Sequence, residues 1–255
     1  MKLKEKMTDE YLDDLLVRMA HHSAAIEGNT LSQADTTSIL LYHYIPGDTT
    51  VREFYEVKNY QKTVDLLLTN QEPISPELIK QYHKLIMENL ADNNGEYKKE
   101  QNIIVSSNFE TAKPYLVPIV LKEWCDNYNF RMKNAKNNIE KIEIILDQHI
   151  KFEKIHPFSD GNGRTGRMLI IDSCLKEGLA PFIIPKEEKG KYISILSNEN
   201  SVEFAKWGLK LQDLEKERIE TFYNKEESRI KSNEKTKVKA NTTAKEKDRD
   251  NGNEL

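Results

Sequence analysis

Apolar residues in this chain recur at the spacing of one helix face, and that period is the tightest constraint on what it can fold into. Tyr11, Leu12, Leu15, Leu16 and Met19 follow it, as do Ile142, Ile145, Leu146, His149, Ile150 and Phe152 to within a residue. Strand-like alternation is scarce, so the expected fold is all-α. Breakers divide the helical runs. Gly28 and Asn29 close the first, Pro46-Gly47 marks a turn, and Val51 to Leu68 forms a long amphipathic segment. Ser75-Pro76-Glu77 reads as an N-cap followed by proline at the first position of a helix running towards Leu90.

The period changes at Asn102 to Val105 and Tyr115 to Val117, two short β-prone runs that predict a small hairpin among the helices. A lone hairpin has an open edge and little stability of its own, which marks it as a recognition element. After Tyr223 aromatic residues vanish and Lys, Glu, Asp, Asn and Thr dominate. That composition predicts a helix extension fraying into a disordered tail, because it offers little apolar surface to offset ordering entropy.

Charge and cysteine usage exclude several classes of function. The formal net charge of −4 leaves no global basic excess for displacing nucleic-acid counterions. No apolar run reaches the ~20 residues of a membrane span, and Met1 to Asp14 lacks the apolar core of a secretory leader. Only Cys125 and Cys174 occur, without a CxxC pair, so a disulfide framework or a cysteine zinc site is excluded within the chain. A cytoplasmic protein is expected, with no nucleic-acid or membrane partner, and self-association is left open.

The chemistry is concentrated between His156 and Arg167. Pro157 disfavours the α conformation at His156, so the preceding helix should end there with the imidazole at its tip. Gly161 and Gly163 allow positive φ and close backbone approach, as an anion cradle of N–H groups requires. A helix from about Arg164 to Leu175 would aim its positive end at that loop, with Arg164 and Arg167 on one face. Cations at a helix N-terminus are unfavourable unless an anion is near, and the pattern fits a nucleotide phosphate chain. Asp160 supplies a hard oxygen for Mg²⁺, and neutral His156 is placed to take a proton from a hydroxyl. His149, Glu153 and His156 do not have HExxH spacing, and His149 reads as a packed helix residue. Trp124, Tyr128 and Phe130 read as core, and His21 and His22 show no partner pattern.

His156 to Arg167 resembles the HxFx[DE]GNGRxxR signature of the Fic family of protein adenylyltransferases and matches it at every defined position. The resemblance implies an all-α Fic-type domain with a β-hairpin flap and transfer of AMP from ATP, with Mg²⁺, to a Ser, Thr or Tyr hydroxyl of a target protein or of the chain itself. It assigns His156 as general base and Asp160 as Mg²⁺ ligand. Gly161, Asn162 and Gly163 become the phosphate cradle, with Arg164 on the α/β phosphates and Arg167 on the γ phosphate. Ser23 to Asn29 resembles the family's inhibitory [ST]xxxE[GN] helix. This implies that Glu27, one turn from Ser23 and before a terminating Gly28, pairs with Arg167 and restrains ATP binding.

A looser alignment puts Tyr192 and Asn200 at the adenine pocket and the 102–117 flap at the target's docking edge. The implied division is an inhibitory N-terminal region at 1–35, a catalytic domain at 36–223 and a charged tail at 224–255. Two other readings stand beside it: removal of AMP from a modified target with Glu27 positioning water, and a nucleotide-sensing or toxin–antitoxin-like module without turnover.

Overall fold

The computed structural model describes residues 3–102 and 110–250, with the side chains of Lys4 and 234–250 left undescribed. Among the described residues the fold is all-α. Its helices are α1 (Asp9–Ile26), α2 (Gln33–Leu40), α3 (Val51–Thr69), α4 (Pro76–Ile86), α5 (Val117–Asn134), α6 (Asn138–Ile155), α7 (Asn162–Lys176), α8 (Lys189–Ser197) and α9 (Ser201–Asp250). No helix among them is long and apolar enough to cross a membrane. Cys125 and Cys174 are both buried and free.

Local signals explain most of the boundaries. The Thr8, Ser32, Thr50, Ser75 and Asn137 side chains each accept a backbone N–H of the first turn, satisfying donors a helix start leaves open. Ser32 with Asp35 and Thr50 with Glu53 form capping boxes. Pro76 stands at the start of α4 as expected, although that helix stops at Ile86, short of Leu90.

The centre of the molecule is α7. From Arg164 to Leu175 every residue is buried, because α1, α3, α4 and α6 enclose it. α6 in turn packs between α5, α7 and α9. The approach of α6 to α7 is so close that a Cβ at Gly166 would stand 2.6 Å from Glu153 Oε1 and 2.8 Å from His149 Cε1. Glycine is therefore the residue that lets the loop-bearing helix lie against the helix that ends in His156.

One expectation needs correction. The second run of the predicted hairpin is helical: Pro114–Leu116 is a 3₁₀ turn, and Val117 opens α5. Two prolines explain it, since Pro114 and Pro118 fix φ near the helical value and sit at first-turn positions where no N–H is needed. No strand occurs among the described residues, and the tip of the expected flap, 103–109, lies outside them.

After Tyr223 the expected helix extension is present, residues 224–250 carrying helical backbone as part of α9. Ladder contacts support its first part: Tyr223 donates to Glu227, and Lys231 pairs with Glu227. Glu10 of α1 also binds Lys225 and Arg229.

Candidate active site

Helix α6 ends as Pro157 dictates. His156 is its C-cap in the left-handed region (φ 50°, ψ 62°), and its N–H still closes the last turn on Phe152 O at 3.0 Å. The ring is largely buried, and Nδ1 lies 3.2 Å from the carbonyl oxygen of Glu153. A carbonyl only accepts, so Nδ1 carries the hydrogen and Nε2 keeps its lone pair. Burial pushes the imidazole down to about 4, despite the opposing Glu153 hydrogen bond. His156 is thus neutral near pH 7, the form a general base requires.

The loop between α6 and α7 is braced from several directions. The Asn162 side chain accepts the Phe158 N–H at 2.9 Å and donates to Phe158 O at 2.8 Å, which Asn102 Nδ2 also reaches at 2.8 Å. Asn162 therefore shapes the loop with its side chain, and only its backbone is left to serve a cradle. Gly161 takes φ 78°, and a Cβ there would stand 2.6 Å from Met87 Sδ.

His83 of α4 stacks on Phe158 with centroids 3.7 Å apart. Gly95 N–H donates to its Nδ1 at 2.8 Å, so its Nε2–H is the hydrogen that meets Asp160 O at 2.9 Å. On the other side, Lys98 N–H donates to Pro157 O, Gln101 donates to Thr111 O, and Ala112 N–H reaches Lys154 O. These bonds fix both described ends of the 102–117 segment beside His156.

The electrostatics are those of an anion site. Arg164 is buried, and its Nη2 donates to Asp160 Oδ1 at 3.1 Å. Its Nε and Nη1 have no hydrogen-bond partner among the described residues, the nearest carboxylate contact of Nη1 being Glu56 Oε1 at 3.8 Å. Buried guanidinium donors left open are costly unless a ligand completes them. Asp160 sits at the mouth, its Oδ2 near Arg52 at 3.4 Å. Burial raises its carboxyl, but Arg164, the Gly161 N–H and Arg52 hold it below the ordinary range.

Arg167 is claimed from within the chain. Its Nε donates to Ser23 Oγ at 2.9 Å and its Nη2 to Ser23 O at 3.0 Å and Glu27 Oε1 at 2.6 Å. Tyr60 donates to the same Ser23 Oγ at 2.6 Å. Glu27 is the C-cap of α1, followed by Gly28 at φ 108°. Burial raises the Glu27 carboxyl, yet the charge and hydrogen bond of Arg167 outweigh it and hold the group below its usual value. A Cβ at Gly163 would fall 2.5 Å from Glu27 Oε1 and 2.9 Å from Arg167 Nη1. The carboxylate therefore lies directly over the glycine of the anion loop.

The structure brings Ser23, Glu27, Asp160, Gly161, Asn162, Gly163, Arg164 and Arg167 together, with His156 at the far end of the same loop. Tyr192 joins them from below: its ring lies 5.9 Å from the Arg167 guanidinium, and its hydroxyl meets His149 Nε2 at 2.8 Å. It is fully buried, a position that supports Arg167. Asn200 is exposed and bonds Glu203 at the start of α9, with no described contact to the loop.

Tyr60, His83 and Arg52 are participants that reading the sequence missed. Their partners lie 37, 77 and 108 residues away, beyond any local pattern. Glu153, one turn before His156, carried a legible spacing whose meaning needed the structure.

A helix running out from a Gly-Asn-Gly loop, an imidazole at the preceding helix end and a carboxylate clasp on the second arginine are the features that the resemblance led us to expect. Residues 73–172, spanning α4 to α7, match the Fic/DOC family profile. Protein adenylyltransferase fic-1 of Caenorhabditis briggsae is 31% identical over 185 residues, covering 71% of this chain and 36% of that protein. Protein adenylyltransferase Fic of Drosophila willistoni is 27% identical over 184 residues, with the same coverage of each. Among solved structures, a Fic domain containing signaling protein from Bacteroides thetaiotaomicron superposes with a TM-score of 0.76 at 21% identity, covering 87% of this chain and 96% of that one. A fragment of Fic-1 from Caenorhabditis elegans gives 0.66 at 24% identity, covering 89% and 66%. Residues 73–172 of this chain form a Fic/DOC-type domain. The chain spans about a third of the length of the curated relatives it matches.

Proposed function

We propose that this protein transfers AMP from ATP to a hydroxyl of a target protein and that Glu27 restrains the reaction. The carrying observation is the seat of Glu27: its carboxylate occupies Arg167 and covers Gly163, while Arg164 beside it keeps two buried donors open. A phosphate chain entering the loop would complete Arg164, and its terminal phosphate would compete with Glu27 for Arg167. The names of the relatives support protein adenylylation as the reaction.

In the proposed step, Nε2 of His156 takes the proton of the target hydroxyl while the freed oxygen attacks the α phosphorus. The new O–P bond forms as the bond to the bridging oxygen breaks, and diphosphate departs on the side held by Arg164 and Arg167. Asp160 fits a Mg²⁺ site of the kind that uses one or two carboxylates and completes its shell with phosphate oxygens and water. Its exposure at the mouth suits an ion that arrives with the nucleotide. Bound there, Mg²⁺ would neutralise charge on the phosphates. The target docks across the 102–117 segment, whose ends are pinned beside His156.

The test uses ATP labelled on the α or the γ phosphate, offered with Mg²⁺ to wild type, Glu27→Gly and Glu27→Gly/His156→Ala. Protein-bound label from α-labelled ATP alone, strong only in the single variant, is the expected result. Label from γ-labelled ATP, or equal labelling with and without His156, would overturn the reading.

A further inference from the structure

A buried carboxylate behind the catalytic imidazole has no role in the mechanism above. Glu153 is 5% exposed, and its Oε1 has no hydrogen-bond partner among the described residues. Its Oε2 lies 3.9 Å from His156 Nδ1, and its own carbonyl oxygen accepts from that nitrogen at 3.2 Å. Its backbone and side chain thus both address the ring edge opposite the reacting Nε2. Oε1 stands 3.8 Å from His149 Nε2 and would be struck by any side chain at Gly166, so α7 closes the carboxylate off from solvent.

We infer that Glu153 is a positioning residue: its carbonyl oxygen fixes the His156 tautomer, and its carboxylate stabilises the imidazolium formed when Nε2 takes the target's proton. The inference rests on the transfer reaction proposed above. In that step the Nδ1 hydrogen stays in place, the hydroxyl proton goes to Nε2, and a positive charge appears beside a buried carboxylate. An opposite charge at such a distance favours the charged imidazole by about one to three pKa units. A partner that orients the base and meets its developing charge is the general logic of nucleophile–base–orienter sets.

The groups facing Glu153 come from four helices: His149 and His156 from α6 and its cap, Arg167 from α7, Tyr192 from α8 and Glu27 from α1. Around His156 itself, Lys98 disfavours protonation while Glu27 and Asp160 favour it. Burial raises the Glu153 carboxyl to about 7, against the pull of Arg167 and with the repulsion of Glu27. The carboxylate is present above that value and lost below it, so support for His156 should fade as pH drops through the neutral range.

Two readouts separate this idea from the reaction it rests on. In the intact chain, with no nucleotide, the His156 imidazole is titrated by NMR in wild type and Glu153→Gln. Wild type should show a second inflection near the Glu153 transition, which the variant lacks. Identical His156 titrations would overturn the inference whatever the enzyme does. In the Glu27→Gly background, Glu153→Gln should lower kcat about tenfold or more, leave KM for ATP within about twofold, and remove the acid limb of the pH profile. Unchanged kcat and profile in an active background would also overturn it. A background that transfers nothing would count against the reaction and leave the titration to judge Glu153. Should Glu153→Gln not fold, the wild-type titration decides alone: one inflection refutes the coupling and two support it.

Discussion

Replacing Glu27 by Gly tests the inhibitory clasp through two quantities that must move in opposite directions. The side chain gives Arg167 one charge-assisted hydrogen bond of 2.6 Å, while Arg167 retains Ser23 Oγ and Ser23 O. Such a bond contributes about 1.5–3 kcal/mol. With 38% of the Glu27 side chain exposed, solvent screening puts it at the lower end, about 1.5 kcal/mol. The variant should lose about that much stability in urea unfolding, and transfer should rise about tenfold, since 1.4 kcal/mol is one decade. Glu27→Gln, which keeps the shape and an acceptor oxygen but not the charge, should fall between the two. A Glu27→Gly chain with wild-type stability and wild-type transfer would refute the reasoning, because the bond would then hold nothing in place.

Other outcomes follow from the same contacts. Gly163→Ala puts a methyl group 2.5 Å from Glu27 Oε1 and 2.9 Å from Arg167 Nη1, so it should reduce transfer more than tenfold even with Glu27→Gly present, as steady-state rates would show. Ser23→Ala strands two donors, Arg167 Nε and Tyr60 OH; we expect about 2 kcal/mol lower stability by denaturant titration together with faster transfer.

Acid should unfold the protein between about pH 6.5 and 4. Burial depresses His22, His83 and His156 to about 4 and His149 to about 3, so the unfolded chain binds more protons in that window and stability falls with pH. Glu153, raised to about 7, works the other way: its contribution is present below the ordinary glutamate value and is lost as pH rises towards 7. His83→Gln should flatten the acid slope, which unfolding curves at several pH values would reveal.

The parts of this protein legible in sequence are those set by neighbours along the chain. The stop at His156, the caps at Thr50 and Ser75, and the Gly28 terminator all follow from residues within a turn of the feature they cause. The pairing of Glu27 with Arg167 was legible only through the resemblance of two motifs, because 140 residues separate them. Asn162 shows the limit of motif reading: the motif marks the position, but the amide is committed to Phe158. Tyr115 to Val117 failed because β-prone side chains are overruled by Pro114 and Pro118, which initiate helical turns. Tyr60, His83 and Glu153 act through packing across α3, α4 and α7, and no short window of sequence records which helices touch.

The central claim, that Glu27 stands where a terminal phosphate would be held, is tested most directly by calorimetric affinities for ATP and ADP with Mg²⁺ in wild type and Glu27→Gly. The account predicts that wild type binds the two nucleotides about equally, and that Glu27→Gly prefers ATP by about tenfold or more as Arg167 becomes free for the extra phosphate. A wild-type chain that already prefers ATP as strongly as the variant would contradict it.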